Sequence, residues 1–175
     1  QLSWEGVPQG AKSLALLMED PASDVYGFAG DVLWAHWVVY SIPADVTELE
    51  AGQAAREVLA NGGKQGANDF KRIQYNGPCP IPTLGFFNRR GAPGSSRTMT
   101  AEERPYYFRL YALDSQLSLA PGATKDELAN AMEGHILGQA NTMGKFTRPL
   151  TLQSQVEGRR PTATRGMPKP LALLM

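Results

Sequence analysis

Three short stretches of the sequence carry residue types that could form a polar site. Asp20-Pro21 places an acid at the end of an apolar run, and His36 lies inside the second apolar run AHWVVY. Gly77 to Pro82 has proline at alternate positions and forms a stiff backbone wall. Each stretch alone also fits an ordinary structural role: a turn-forming acid, a hydrogen-bonded core histidine and a rigid turn. Their order along the chain is more specific than any one of them.

The common catalytic, nucleotide and metal motifs do not occur in the sequence. It has no G-x-x-x-x-G-K-[ST], no G-x-G-x-x-G after a strand, no H-E-x-x-H and no G-x-S-x-G. One cysteine and two histidines cannot supply an ordinary structural zinc site. Cys79 could pair with a histidine, but its place between two prolines favours a small side chain in a rigid turn. The sequence therefore predicts no catalytic residue, no metal and no cofactor.

Composition indicates one folded domain. The 175 residues are 42% hydrophobic and 19% charged, with a net charge of zero, which argues against disorder and against a nucleic-acid partner. Gly (18) and Pro (13) are frequent enough to predict many turns and few long helices. No apolar run approaches the ~20 residues of a membrane-spanning helix. The single cysteine excludes an intrachain disulfide.

Hydrophobic patterning predicts three strands and one helix. The strands are residues 13–18, 34–42 and 106–113, the last with Phe108, Leu110 and Ala112 on one face. Residues 51–76 read as loops around one short helix near residues 53–59.

The predicted helix begins at a capping box formed by Thr124 and Glu127, at the head of KDELANAMEGHIL. Leu128, Met132 and Ile136 recur every four residues and would face the core. Gly138 would end this helix.

Two segments read as peripheral. Residues 88–104 are polar and rich in Gly and Ser, which predicts an exposed loop. Residues 149–175 form a basic, proline-containing extended tail, whose apolar end LALLM is suited to docking as a strand.

The order of these pieces resembles the phosphatidylethanolamine-binding protein family, and most closely its bacterial and archaeal, Raf kinase inhibitor-like branch. The resemblance covers residues 2 to about 148, which we interpret as the domain 1–148 followed by the tail. The strand that precedes Leu-Ser-Trp in the family is missing from this sequence. The matching blocks are LSW (2–4), SLALLMEDP (13–21), HWVVYSIPA (36–44), GANDFKRIQYNGPCP (66–80), YYFRLYALD (106–114) and AMEGHILGQA (131–140) running on to Gly144-Lys145-Phe146.

The resemblance implies a mostly β fold: an antiparallel β-sandwich with Greek-key connections and a few flanking helices. It also implies a small pocket at one edge of the larger sheet that accepts phosphate-like anions and phospholipid headgroups. In that pocket a carboxylate would orient the histidine and help it to hold a proton, and donors would converge on one oxyanion. The residues carried over to this pocket are Asp20, Pro21, His36, Gly77, Pro78, Cys79, Pro80 and Tyr106.

This chain departs from the family pattern in two places. The family's D-P-D-x-P reads Asp20-Pro21-Ala22-Ser23-Asp24 here, and its G-x-H-R-Y is replaced by Arg104-Pro105-Tyr106. Arg104 would keep a cation in the pocket in place of a second histidine, or else point to solvent. His135 matches a family position on the C-terminal helix, away from the pocket, in a packing or capping role.

The favoured function is binding of a small anion, a phospholipid headgroup or a phosphorylated protein, with a regulatory role and a homodimer among the options. An enzyme using Asp20, His36 and Tyr106 for acid–base chemistry is the first alternative. A structural or interaction domain using residues 88–104 and the tail is the second. The residues leave open whether the protein is cytoplasmic or is exported after removal of a leader.

Overall fold

The computed structural model describes residues 1–21, 33–78, 83–84, 99–100, 103–147 and 171–174, and within these ranges it has ten strands and one helix. The strands are β1 (Leu2–Glu5), β2 (Ser13–Pro21), β3 (Leu33–Pro43), β4 (Glu48–Leu49), β5 (Lys64–Gln65), β6 (Thr83–Leu84), β7 (Met99–Thr100), β8 (Glu103–Leu113), β9 (Ile136–Thr147) and β10 (Leu171–Leu174). The helix is α1 (Lys125–Met132). The predicted mostly β class is therefore confirmed.

Two sheets carry most of the fold. The larger sheet has the order β5-β3-β2-β8-β9, with every neighbouring pair antiparallel. The smaller sheet has the order β10-β1-β4, in which β1 is antiparallel to β4 and parallel to β10. Strands β6 and β7 form a separate two-stranded pair. The predicted strands at 13–18, 34–42 and 106–113 correspond to β2, β3 and β8.

Strand β2 lies at the centre of the larger sheet and is buried on both faces. Leu14, Leu16 and Met18 pack with Trp4 of β1 in the core between the sheets. The alternate residues of β2, Ala15 and Leu17 among them, pack on the other face with residues of α1 and the segment before it. Burial on both faces explains why this strand is a continuous apolar run rather than an alternating one.

Strand β8 alternates as the sequence predicts. Phe108, Leu110 and Ala112 all lie in the core between the sheets. The predicted exposed loop 88–104 is wrong at its C-terminal end, since Met99–Thr100 is a strand and β8 already begins at Glu103. Residues 88–98 and 101–102 lie outside the described ranges.

The capping box of α1 is confirmed, but the predicted extent of the helix is wrong. The amide of Glu127 donates to the Thr124 hydroxyl, and the amide of Thr124 donates to the Glu127 carboxylate. Leu128 and Met132 are buried as predicted. The helix ends at Met132, Gly134 follows with φ +77°, and Ile136 is exposed at the start of β9.

Three further expectations need correction or completion. His135 lies after α1 and not on it, where Nδ1 is 2.8 Å from Oδ1 of Asp114 in an exposed contact. The short helix expected near residues 53–59 is wrong, because that segment is irregular apart from a bridge between Val58 and Lys64. Of the tail, 149–170 lies outside the described ranges, and Leu171–Leu174 forms β10 against β1.

Within the described residues no helix is long and apolar enough to cross a bilayer.

Candidate functional site

A β-bulge in β3 sets the direction of His36. Met18 pairs with Trp37 and the next residue, Glu19, pairs with Ala35, so His36 is an extra residue on β3. Simple alternation would place residues two apart on the same face. Instead Trp37 lies in the core between the sheets and Ala35 lies on the opposite face. The bulge thus places the side chains of the neighbouring residues His36 and Trp37 on the same side of the sheet.

Asp20, His36 and Arg104 form a buried polar cluster at the end of β2. Nε2 of His36 lies 3.5 Å from Oδ1 of Asp20, and Nη1 of Arg104 lies 3.5 Å from Oδ2. Asp20 is 4% exposed, His36 is 2% exposed and the Arg104 side chain is 11% exposed. Of the two orientations open to Arg104 from the sequence, the side chain adopts the one directed toward Asp20 and not the one directed to solvent.

Proton positions in this cluster leave one carboxylate oxygen without a donor. Nδ1 of His36 lies 3.1 Å from the carbonyl oxygen of Asn76, so this nitrogen carries a proton. In a neutral ring Nε2 would then present a lone pair to Asp20. Within the described part of the chain no group donates a hydrogen bond to Oδ1 of Asp20. A second proton on His36, or a donor on a bound molecule, would satisfy this oxygen.

Aromatic rings enclose the cluster. The His36 ring meets Tyr106 edge-on at 5.2 Å between centroids and Phe70 at 5.1 Å. Phe70 in turn meets Trp34 edge-on at 5.6 Å. Tyr106 is 1% exposed, so the predicted tyrosine does lie at the cluster. Phe70 and Trp34 lie within or beside the motifs read from the sequence but were not singled out there.

The loop that follows β5 forms hydrogen bonds with the backbone of β3 at the bulge. The amide of Ala35 donates to the Asp69 carboxylate at 2.6 Å, and the Asp69 amide donates to the Ala35 carbonyl at 3.0 Å. The buried amide group of Asn68 donates to the carbonyl oxygens of His36 and Gln74 and to the side chain of Asn76. These bonds, together with the bond from the Asn76 amide to the His36 carbonyl at 3.1 Å, hold Asn76 beside His36.

Two glycines of the block 66–80 differ in the space that a side chain would have at their positions. A Cβ on Gly66 would overlap the carbonyl oxygen of Ala123 and lie 2.7 Å from Val38, so the chain approaches too closely for any side chain. Gly77 has ordinary clearance, with the nearest atom, in Tyr75, at 3.5 Å.

The remaining predicted site residues lie beside the cluster or outside the described ranges. Pro21 ends β2 next to Asp20 and pairs with Leu33. Gly77 and Pro78 follow Asn76 along the chain and so start next to the residue that orients His36. Cys79 and Pro80 lie outside the described residues.

A second buried carboxylate, which the sequence did not single out, lies on the opposite face of the sheet. Glu19 is 3% exposed, with Nη1 of Arg109 at 2.6 Å and Nζ of Lys125 at 3.5 Å. Lys125 also donates to the carbonyl of Leu33 at 2.6 Å, which ties α1 to the sheet. Both Arg109 and Lys125 pair with Glu19, whereas Oδ1 of Asp20 has no donor among the residues that the structure describes, so the two neighbouring acids have different surroundings.

Fold and site together define a two-sheet β-sandwich with an enclosed acid–histidine–arginine cluster at one end of the larger sheet. The profile of the phosphatidylethanolamine-binding protein family matches residues 1–85 and 95–147. The chain therefore belongs to the phosphatidylethanolamine-binding protein family.

Relatives in sequence and structure agree with this assignment. The chain is 42% identical to a UPF0098 protein of Methanothermobacter thermautotrophicus, covering 84% of this chain and 81% of that protein. It is 37% identical to a UPF0098 protein of Aquifex aeolicus, over 84% and 72%. A crystal structure of a phosphatidylethanolamine-binding protein homologue from Chlamydia trachomatis matches with a TM-score of 0.63 and 35% identity, over 83% and 78%. Escherichia coli YbcL shares the fold at a TM-score of 0.63 and 23% identity, over 84% and 78%.

Proposed function

We propose that the protein binds a small phosphate-type anion, free or as the headgroup of a phosphate ester, at Asp20, His36, Arg104 and Tyr106. The observation that carries this proposal is the pairing of a permanent cation with a buried acceptor in one cluster. Arg104 offers N–H donors to an anionic oxygen, while Oδ1 of Asp20 lacks a donor in the described part of the chain. Pro21 ends β2 beside Asp20, and Gly77 and Pro78 follow Asn76 along the chain, so these residues lie next to the proposed site.

A hydrogen phosphate or its monoester has the matching groups. Its anionic oxygens accept from Arg104, and its P–OH group donates to Oδ1 of Asp20 beside the lone pair that Nε2 of neutral His36 presents there. Phosphoethanolamine has an ammonium group that could make the same donation. The enclosing rings of Tyr106 and Phe70 exclude water, which strengthens each of these charge-assisted bonds.

Isothermal titration calorimetry with inorganic phosphate, phosphoethanolamine and a short phosphopeptide tests the proposal. We expect saturable binding by the parent and at least about a tenfold loss of affinity in His36→Ala, because the ring that lies against Asp20 and shapes the site disappears. The matched control is His135→Ala, which removes the exposed histidine paired with Asp114. This control should bind like the parent.

Two results would contradict the proposal. One is a parent that binds none of the three ligands, and the other is a His36→Ala variant that binds as tightly as the parent. The ligand with the highest affinity identifies the source of the phosphate group. Turnover of a ligand during titration would instead support the enzyme alternative.

A further inference from the structure

Two hydrogen-bond acceptors face each other at the buried end of β2. Nε2 of His36 lies 3.5 Å from Oδ1 of Asp20, while the other ring nitrogen directs its proton to the carbonyl oxygen of Asn76. Within the part of the chain that the structure describes, no group donates to Oδ1 of Asp20. Both side chains are buried, and a buried acceptor without a donor costs free energy. The pair therefore favours a ligand that brings a donor of its own.

The charges of the cluster limit how much negative charge a ligand can bring. Asp20 and Arg104 carry opposite charges and the neutral ring of His36 adds none, so the three side chains have no net charge. Tyr106 of β8 faces the His36 ring, and Asp69 accepts from a backbone amide of β3, so neither adds a positive charge. A dianion would place its second charge against the Asp20 carboxylate. A monoanion that keeps one acidic proton avoids this repulsion and supplies the missing donor.

The neighbouring acid of β2 shows the contrasting arrangement. Glu19 faces the other side of the sheet, with Nη1 of Arg109 at 2.6 Å from Oε2 and Nζ of Lys125 at 3.5 Å from Oε1. Each oxygen of Glu19 thus has its own cation. Among the described residues Asp20 has a cation at Oδ2 alone, so its Oδ1 is the oxygen left for a ligand.

We propose that Asp20 selects oxyanions that keep one acidic proton, so that the ligands are hydrogen phosphate and phosphate monoesters and not sulfates. The inference rests on the proposed function and names its class of ligand. The P–OH group donates to Oδ1 of Asp20, and an unprotonated oxygen of the same ligand accepts from Arg104. A sulfate monoester has nearly the same shape and charge but no donor, so it sets an oxygen lone pair against Oδ1. A phosphate diester is rejected for the same reason unless its alcohol part carries a donor.

Calorimetry on the full chain at pH 6 compares methyl phosphate, inorganic phosphate, methyl sulfate and dimethyl phosphate. We expect methyl phosphate to bind at least about tenfold more tightly than methyl sulfate, the equivalent of one hydrogen bond to a charged group. Dimethyl phosphate should be as weak as methyl sulfate, since it is also a monoanion without a donor. Of the two phosphates that keep a proton, the tighter one identifies the free ion or the ester as the preferred form.

The acidic proton should also make the binding of methyl phosphate depend on pH. A phosphate monoester has a second pKa of about 6, so about half of it is the monoanion at pH 6 and about one-hundredth at pH 8. Because the monoanion alone binds, the apparent affinity should fall roughly 50-fold between these two pH values. Methyl sulfate does not titrate in this range, and its affinity should stay weak and constant. A methyl sulfate affinity that rises as the pH falls would show that a proton on His36 supplies the donor, and would overturn the proposal.

Asp20→Asn should remove the preference, because its amide offers a donor where the carboxylate needs one. Methyl sulfate should then bind at least about tenfold more tightly than it does to the parent, and methyl phosphate affinity should no longer fall at pH 8. The matched control is Asp114→Asn, at an exposed acid paired with His135, and it should keep the preference and the pH dependence of the parent. Circular dichroism checks that Asp20→Asn is folded. If it is not, the parent's own comparison of methyl phosphate with methyl sulfate decides the proposal.

Three results would count against the selection. Equal binding of methyl phosphate and methyl sulfate by the parent would overturn it while leaving anion binding intact. A preference for methyl phosphate that survives in folded Asp20→Asn would show that Asp20 does not make the selection. Absence of binding by all four probes would overturn the proposed function and the selection together.

Discussion

Arg104 lies with Nη1 3.5 Å from Oδ2 of Asp20, across 84 residues of sequence, and both side chains are largely buried. The antiparallel pairing of β2 with β8 brings the two residues to the same end of the sheet. A guanidinium at this position is a permanent charge with several donors, so it can hold the carboxylate and an incoming anion at once.

Replacing Arg104 by Ala should weaken phosphate binding by about 10- to 100-fold, the equivalent of one charge-assisted hydrogen bond. Arg104→Lys should recover part of the loss, since it restores charge but not the planar fork. Calorimetry measures the affinities. Arg109→Ala is the control: it removes an arginine from the same strand, but one that pairs with Glu19 on the other face. Equal losses in Arg104→Ala and Arg109→Ala would rule out a direct role for Arg104.

Asn68 should act as a positioning residue. Asn68→Ala removes donors from three acceptors around His36 and Asn76, and should lower the free energy of unfolding by about 3 kcal/mol. Because the Asn76 carbonyl is then less well held, phosphate affinity should also fall at temperatures where the variant remains folded. Urea unfolding and calorimetry give the two numbers. Loss of stability with unchanged affinity would confine Asn68 to a folding role.

Gly66→Ala should be far more damaging than Gly77→Ala. The new methyl group of the first variant would overlap the Ala123 carbonyl and crowd Val38, which forces a backbone shift costing about 3 kcal/mol. The second variant has ordinary clearance, and Gly77 does not have a positive φ, so the change should stay within about 0.5 kcal/mol. Chemical denaturation of both variants compares them directly, and similar midpoints would contradict the expected order.

The capping box should make stability depend on acid pH. The backbone amide of Thr124, followed by its hydroxyl, lowers the pKa of Glu127 below 4.5. A lowered folded-state pKa means that the contribution to stability is present above the unfolded pKa and is lost as the pH falls through the folded pKa. Glu127→Gln should therefore lose less stability than the parent between neutral and strongly acidic pH, as measured by urea unfolding. Thr124→Ala should cost about 1 kcal/mol at pH 7.

The sequence alone predicts those elements of the fold that are set by interactions between residues close together in the chain. β2 and β8 follow from apolar patterning, and α1 begins where its capping box predicts. The sequence predicts too long a helix because Ile136 continues the four-residue spacing. In the fold, Ile136 is instead the first residue of β9, because pairing of β9 with β8 over most of its length outweighs that local preference. Asp20 and His36 were found by residue type and order. The roles of Asn68 and Asp69 depend on hydrogen bonds to a distant strand edge, which no periodicity marks.

Strand β10 should protect β1. Removing residues 149–175 would leave the amides and carbonyls of Leu2–Glu5 unpaired on one side. We expect faster hydrogen exchange at Leu2–Glu5 and little change in β2, which keeps both of its neighbours. Exchange measured by mass spectrometry on the full and shortened chains makes the comparison. Unchanged exchange in β1 would show that β10 does not pair with it in solution.

The pairing of β1 with β10 also bears on how the protein is made. Synthesis proceeds from the N-terminus, so Leu2–Glu5 leaves the ribosome long before Leu171–Leu174. During that interval β1 can pair with β4 but lacks its pairing with β10, so other chains can compete for the same backbone groups. The larger sheet can assemble once β9 has emerged, whereas the smaller sheet is completed last, through the contact with the greatest separation along the chain.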